Sequence, residues 1–294
     1  MSHRAVVCDL CQARVERVLF DWGITTVMRC GSCGLVFRRI AAEMSEKELF
    51  ALVAQLGDVS RSPTTKYGAA YTEDDGRVRL WKGFLEELGE IKRSTGWRLV
   101  DIGSAKGVFL DIARKGGWQV QGVEPLESSA NYARQVFRLP VFQGTLEEAA
   151  FPANHFDAAT MWDVIEHLKS PSRTVAEVFR VLKPGGVIAV LTPNHDSLIT
   201  LLSHWFYRAS GRRFPLELLL YPVVHHYYFS PRTLSELLRR AGFRVERVVS
   251  APLHPEKCLL STRAVRIGAS VVDSVAKLVN RPYRIVAIAS KPLT

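Results

Sequence analysis

From Trp97 onward, short apolar runs alternate with stretches of helical spacing, a pattern that predicts strands alternating with helices. Arg98–Asp101 reads as a strand, followed by a helix that runs to Gly116-Gly117. A second strand, Trp118–Val123, ends at Glu124-Pro125, and a helix covers Ser128–Phe137. Val141–Gln143 is a third short strand, stopped by Gly144-Thr145, and Phe156–Trp162 is a fourth, ending at Asp163. A helix over Ser172–Leu182 stops at Lys183-Pro184-Gly185-Gly186, and Val187–Leu191 is the fifth strand. Pro231–Ala241 reads as a helix capped by Ser230 and ended by Gly242. Two last strands, Phe243–Val249 and Ile285–Ser290, enclose a segment of helical spacing, Leu259–Val279. Between strand five and the Ser230 helix lies an insertion, 195–230, rich in Leu and aromatic residues.

Before Trp97 the pattern changes. Residues 1–40 hold two cysteine pairs joined by strand-forming residues, Val15–Val27, able to make a hairpin. Ser45 and Glu48 form a capping-box signature for a short helix, and Gly57–Thr65 is a polar link. Tyr67 and Tyr71 follow, then an amphipathic helix over Arg77–Ile91. The chain thus divides into a zinc-ribbon-like segment (1–40), a linker with a helical lid (41–95) and a main domain (96–294). The fold class is α/β: a doubly wound, Rossmann-like, mostly parallel seven-stranded sheet with a small N-terminal zinc ribbon.

Chemistry collects at the strand ends. Leu99-Val100-Asp101-Ile102-Gly103-Ser104-Ala105-Lys106-Gly107 is a strand, a tight turn and a helix start, with two glycines four positions apart. Ala105 stands where the dinucleotide fingerprint has its middle glycine. Asp101 puts a negative charge where a pyrophosphate would approach, which disfavours phosphate and suits a cationic ligand. S-adenosylmethionine carries both a sulfonium and an ammonium. About 20 residues on, Glu124 ends the next strand, placed to accept hydrogen bonds from ribose hydroxyls. The competing reading makes Asp101 a turn cap and Glu124 a solvated loop acid; two acids at successive strand ends favour the first.

Cys8-x-x-Cys11 and Cys30-x-x-Cys33, with 18 residues between the pairs, have the spacing of a four-thiolate zinc site. Two disulfides are the alternative, but Met1-Ser2-His3-Arg4 leads into polar sequence, not an export signal, so a reducing cytoplasm is the expected compartment. Four thiolates leave no open position, so the ion's expected role is structural. No apolar run is long enough to span a bilayer. The net charge is +10, of which +9 falls after Asn194. That excess is either a solvated basic surface or a contact for an anionic partner: a phosphorylated substrate, acidic lipid headgroups or nucleic acid.

Taken together, Asp101–Gly107, Gly122-Val123-Glu124-Pro125, Phe156-Asp157 through Asp163-Val164-Ile165-Glu166-His167-Leu168, and Leu182–Gly186 resemble the class I S-adenosylmethionine-dependent methyltransferases. His226-Tyr227-Tyr228-Phe229-Ser230 and Leu237–Phe243 extend the likeness, which resembles more narrowly a bacterial branch with an N-terminal zinc-binding segment. The resemblance implies roles by position. Asp101, Gly103, Ser104 and Gly107 would cradle the methionine end; Glu124 and Pro125 would lie at the ribose. Thr145 and Leu146 would border the adenine, Trp162 and Asp163 would stand at the mouth near the methyl group, and Tyr67 and Tyr71 would form a lid.

A hydroxyl acceptor needs its proton removed, and the candidate bases are His226 and His167. His167 also reads as a residue that starts the next helix and packs beneath the site, whereas His226 lies where the resemblance places the acceptor pocket. The expected function is methyl transfer to oxygen or carbon of a small molecule: a sugar, sugar-nucleotide or lipid-linked, quinone-type metabolite. A peripheral contact with the inner face of the membrane goes with an anionic, amphiphilic acceptor. Two other readings stand beside it. A nucleic-acid methyltransferase lacks support from any Asn-Pro-Pro-aromatic motif, and a non-catalytic zinc-ribbon adaptor sits poorly with intact Asp101, Glu124 and Asp163.

Overall fold

The computed structural model describes residues 6–21, 25–40, 76–91, 96–210, 221, 224–251 and 263–293. Its N-terminal strands are β1 (Val6–Val7), β2 (Arg14–Val15), β3 (Val18–Asp21), β4 (Thr25–Arg29) and β5 (Val36–Ile40), followed by helix α1 (Gly76–Ile91). The main domain continues with β6 (Arg98–Ile102), α2 (Val108–Lys115), β7 (Gln119–Glu124), α3 (Glu127–Val136), β8 (Val141–Gln143) and β9 (Phe156–Trp162). Next come α4 (Pro171–Val181), β10 (Leu182–Pro193), α5 (Leu198–Ala209), β11 (Tyr227–Tyr228) and α6 (Pro231–Arg240). The described chain ends with β12 (Arg244–Ala251), α7 (Arg263–Leu278) and β13 (Arg284–Ser290). The Ser45 helix and the Gly57–Thr65 link lie outside the described residues.

Seven strands form one sheet in the order β12-β13-β10-β9-β6-β7-β8. All neighbours are parallel except β13, which runs antiparallel to both β10 and β12. The expected mostly parallel seven-stranded sheet is therefore the observed one. From β6 the chain first steps outward to β7 and β8, then returns to the other side of β6 with β9. That reversal leaves a crevice at the carboxyl ends of the central strands, where ligands bind in such folds.

Alternation along the strands decides which layer each side chain enters. Leu99, Ala158 and Ala189 face the layer made by α1, α2 and α3, packing with Phe84, Leu110 and Ala133. Val100, Met161, Ile188 and Ala287 face the opposite layer, with Val178 of α4 and Leu237 of α6. This second layer also contains Cys8, Cys30, Cys33, Leu35 and Phe37 in the same continuous core.

The hairpin expected between the cysteine pairs is β3–β4, and it belongs to a larger sheet, β11-β5-β4-β3. Its fourth strand comes from the main domain, with Tyr227 opposite Phe37 and Tyr228 opposite Val36. The sequence marks this pairing nowhere, because β11 has only two residues and lies nearly two hundred positions from β5. Helix ends follow their caps: Ser197 accepts from the Thr200 amide, and Ser230 with Thr233 completes a reciprocal capping box at α6. His167 does not start a helix, as the sequence suggested. It closes a 3-10 turn, Ile165–His167, and α4 begins only at Pro171.

Candidate active site

A cavity of about 840 Å³ opens at the carboxyl ends of β6 to β9. One wall carries Gly103, Glu124, Pro125, Thr145 and Leu146, and the remaining lining includes Asp163, His167, Val224 and His226. Eight of the sequence-derived site residues therefore share one cavity. Asp101, Ser104, Gly107 and Trp162 are not among its lining, and Tyr67 and Tyr71 lie outside the described residues.

The glycine-containing turn is closely packed against its neighbours. Gly103 and Gly107 both have left-handed backbone, φ +70° and +81°. A Cβ on Gly103 would stand 2.5 Å from Val164 Cγ2, and one on Gly107 2.6 Å from Leu139 Cδ1. Ala105 also takes a positive φ, +47°, while keeping its methyl group. The turn is tied down by Glu124: Oε2 accepts the Ala105 amide at 2.8 Å and Oε1 the Leu126 amide at 2.9 Å. Burial raises the pKa of this carboxyl above its usual range, with those two amides working in the opposite direction.

Asp101 lies deeper. It is buried and accepts the Thr160 hydroxyl at 2.7 Å. Burial lifts its pKa to about 8 against that hydrogen bond, and the charge of Glu124 adds to the rise. Ser104 is also buried, and its Oγ has no hydrogen-bond partner.

These features fit S-adenosylmethionine. The Glu124 carboxyl and the side-chain-free Gly103 line the wall, and the turn that Gly103 opens carries the orphaned Ser104 hydroxyl. Trp162 is placed otherwise than expected. Its position on β9 shares the face of Ala158 and Thr160, so its ring packs edge-on against Phe84 and Phe109 in the α1–α2 layer. Alternation sends it into that layer and not to the cavity mouth.

The facing wall holds imidazoles. His167 Nδ1 lies 2.8 Å from the Val224 carbonyl, which can only accept, so Nδ1 carries the proton and Nε2 keeps its lone pair. Burial lowers the His167 pKa below its usual value. His225 packs perpendicular to His167, ring centres 4.6 Å apart, and burial pushes its pKa down to about 3. Glu166 is buried beside them, accepting the Thr192 hydroxyl at 2.9 Å, and burial with repulsion from Asp163 raises its pKa to about 8. One carboxylate oxygen of Glu166 and one ring nitrogen from each histidine fall within 4.8 Å of one another. Asp163 is paired with Arg284, a residue that no local sequence signal connects to it. Lys169, Ser170, Arg173 and Thr174 also line the cavity. No sequence motif marks these four; their only local signal is their place just after the Glu166-His167 motif, Lys169 and Ser170 ahead of α4 and Arg173 and Thr174 in its first turn.

The cysteines form a second centre. Cys8, Cys11, Cys30 and Cys33 are all free thiols, and their sulfurs lie within 4.8 Å of one another. Cys8–Cys33 and Cys11–Cys30 sulfurs are 3.5 Å apart. The edge of a tetrahedral four-thiolate zinc site is about 3.8 Å, so the donor set fits such an ion. Burial opposes ionisation of Cys30, yet the Cys33 and Ser32 amides and the Cys11 thiol bring its pKa down to about 7. Burial pushes Cys33 up to about 11 and Cys8 higher still.

Comparison with known proteins accords with this geometry. Residues 71–248, more than half of the chain, match the family described as "Methyltransferase domain". The chain belongs to that methyltransferase family. A relative from Mycolicibacterium smegmatis, named a probable S-adenosylmethionine-dependent methyltransferase, is 32% identical over 155 residues, covering 52% of this chain and 54% of the relative. The match thus spans just over half the length of that relative. A ubiquinone biosynthesis O-methyltransferase from Aromatoleum aromaticum is 27% identical over 169 residues, 54% of this chain and 69% of that protein. Among solved structures, the [4+2]-cyclase SpnF shares the fold with TM-score 0.53 at 23% identity, covering 82% of this methyltransferase-family chain and 96% of the cyclase. A SAM-dependent methyltransferase from Archaeoglobus fulgidus does so with TM-score 0.50 at 19% identity, covering 74% and 97%.

Proposed function

We propose that this chain transfers a methyl group from S-adenosylmethionine to a small hydroxylated metabolite, a sugar, sugar-nucleotide or quinone-type compound. One observation carries the reading: a single cavity is lined by Gly103 and Glu124 together with His167 and His226. The names of the ubiquinone biosynthesis relatives favour oxygen as the methylated atom, with carbon as the alternative. When bound, S-adenosylmethionine supplies an electrophilic methyl group on a sulfonium.

The chain's own residues do the rest. Glu124 would hold the ribose hydroxyls, Gly103 the methionine end, and Thr145 with Leu146 the adenine. On the facing wall, His167 Nε2 or the His226 ring would take the acceptor's hydroxyl proton. Enclosure of the acceptor against these walls aligns it and excludes water, the two factors on which an in-line displacement most depends.

Calorimetry comparing S-adenosylmethionine with NAD tests the reading, and tighter binding of NAD would sink it. Glu124→Ala should weaken S-adenosylmethionine binding by about 2–4 kcal/mol, the worth of two charge-assisted hydrogen bonds. An unchanged affinity would place the ribose elsewhere.

The four-cysteine centre is read as a structural zinc site. Free thiols at tetrahedral spacing support it, as do amides directed at sulfur, Cys33 N lying 3.5 Å from Cys30 Sγ. A lipid-linked acceptor is favoured by a separate observation. Helix α5 exposes Leu201, Leu202, Trp205 and Phe206, and α7, which packs against it, exposes Val271, Val275 and Leu278. Among the described residues no helix is long and apolar enough to cross a membrane. Contact at the surface of an acidic bilayer suits this apolar stripe and the neighbouring Arg208 and Lys277.

A further inference from the structure

We infer that the cysteine module forms part of the acceptor side of the cavity, with Asp9 and Arg38 as positioning residues that fix two of its wall segments, 169–174 and 224–228. The inference deepens the proposed function and rests on it for the meaning of the cavity, and on the zinc reading for the effect of metal.

The first attachment is at α4. A helix start leaves backbone amides without partners, and the residue before the helix normally supplies a side-chain acceptor. Ser170 occupies that place but makes no such bond. Asp9 does it from a distance in sequence: Oδ2 accepts the Ser172 amide at 2.8 Å, and Oδ1 accepts the Ser170 and Ser172 hydroxyls at 2.7 and 2.9 Å. A carboxylate at a helix N-terminus is also favoured by the helix dipole. Asp9 sits between Cys8 and Cys11 in a turn closed by Gln12 N to Cys8 O at 2.9 Å, so the knuckle itself sets its position. Ser170, at this cap, and Arg173 and Thr174, just beyond it, line the cavity.

The second attachment is at the histidines. Arg38 N donates to the His226 carbonyl at 2.8 Å, and the His226 amide donates to Glu166 O at 2.7 Å. The neighbouring residues pair as β5 and β11. The Arg38 side chain adds bonds to Tyr228 Oη at 2.8 Å and Tyr221 O at 2.5 Å. Arg38 follows the Cys30–Cys33 knuckle by a few residues, and that knuckle is tied to the main domain through Arg232 Nη2 to Cys33 O at 2.5 Å. By contrast, the Glu124 bonds that shape the cofactor wall run to Ala105 and Leu126, within the main domain. Loosening the module should therefore disturb the acceptor wall and spare the cofactor wall.

Hydrogen–deuterium exchange on the full chain tests this without knowledge of the acceptor. Stripping the metal with a chelator under reducing conditions should speed exchange about tenfold at 170–175 and 224–229, with S-adenosylmethionine affinity changed by less than about twofold. Asp9→Ala should speed only 170–175 while the metal stays bound. Asp9→Asn, which keeps an oxygen to accept the Ser172 amide, should restore most of the protection. Acceleration spread evenly over the chain would mark plain destabilisation and overturn the inference, as would unchanged exchange at both segments. Failure to bind S-adenosylmethionine would instead reject the proposed function, and purified protein without metal would reject the zinc reading. In either case the two Asp9 variants still decide whether that residue positions the wall.

Discussion

At the scale of single residues, Ala105 and Asp101 both hold states that their neighbours impose. Ala105 keeps a side chain at φ +47°, where its Cβ crowds the backbone and glycine would not. Ala105→Gly should therefore stabilise the fold by about 1 kcal/mol, the strain relieved exceeding the added freedom of the unfolded chain. Denaturant titration measures it, and a loss of stability would show that the turn has relaxed around alanine. Asp101 has its folded-state pKa raised by burial from 3.8 to about 8. A raised carboxyl favours the folded chain while protonated, so its contribution is full below about pH 4 and is lost as the pH rises to about 8. Asp101→Asn should accordingly narrow the difference in melting temperature between about pH 5 and about pH 9. Glu166, shifted in the same sense, keeps the difference from vanishing. An identical pH profile in the variant would assign the dependence to Glu166 and Glu124, whose carboxyls burial also raises.

At the scale of elements, α5 is the case where local pattern left two outcomes open. Its Leu and aromatic spacing suits a helix packed in a core equally with one that offers an apolar face outward. The structure exposes Trp205 by 68% and Leu202 by 49%, while Thr200 is buried. The outer stripe has the make-up of a helix lying in a bilayer interface, with Arg208 at its end. Trp205→Glu should then reduce co-sedimentation with vesicles rich in anionic lipid severalfold, and raised salt should reduce that of the unaltered chain. If Trp205→Glu sediments like the unaltered chain, the stripe does not contact lipid. Arg212 and Arg213, two further cations of the basic stretch after Asn194, lie outside the described residues, and Arg232 of the same stretch is bonded to the Cys33 carbonyl.

At the scale of the whole molecule, the cysteine module shares one core with the central sheet and is not a separate appendage. Purified protein should carry one zinc per chain, lost in Cys30→Ser and measured by metal analysis. Because Cys8, Cys30 and Cys33 are packed with sheet residues, that variant should also lower the melting temperature of the entire chain. Equal zinc in both proteins would remove the site.

What the sequence by itself determined was local in origin. The strand–helix alternation specified a parallel sheet, the acids at strand ends marked Asp101, Glu124 and Asp163, and the cysteine spacing marked four thiols that meet within 4.8 Å. Such features depend on a few neighbouring residues and on the periods of helix and strand. Only the tertiary structure decided that Asp9 caps α4, that β5 joins β11, that Arg284 pairs with Asp163, and that Trp162 faces away from the cavity. The first three join residues more than a hundred positions apart, and the fourth depends on which sheet face meets the α1–α2 layer. Short-range patterns fix the elements; side-chain partners across the core are selected only when the packed layers bring them within reach.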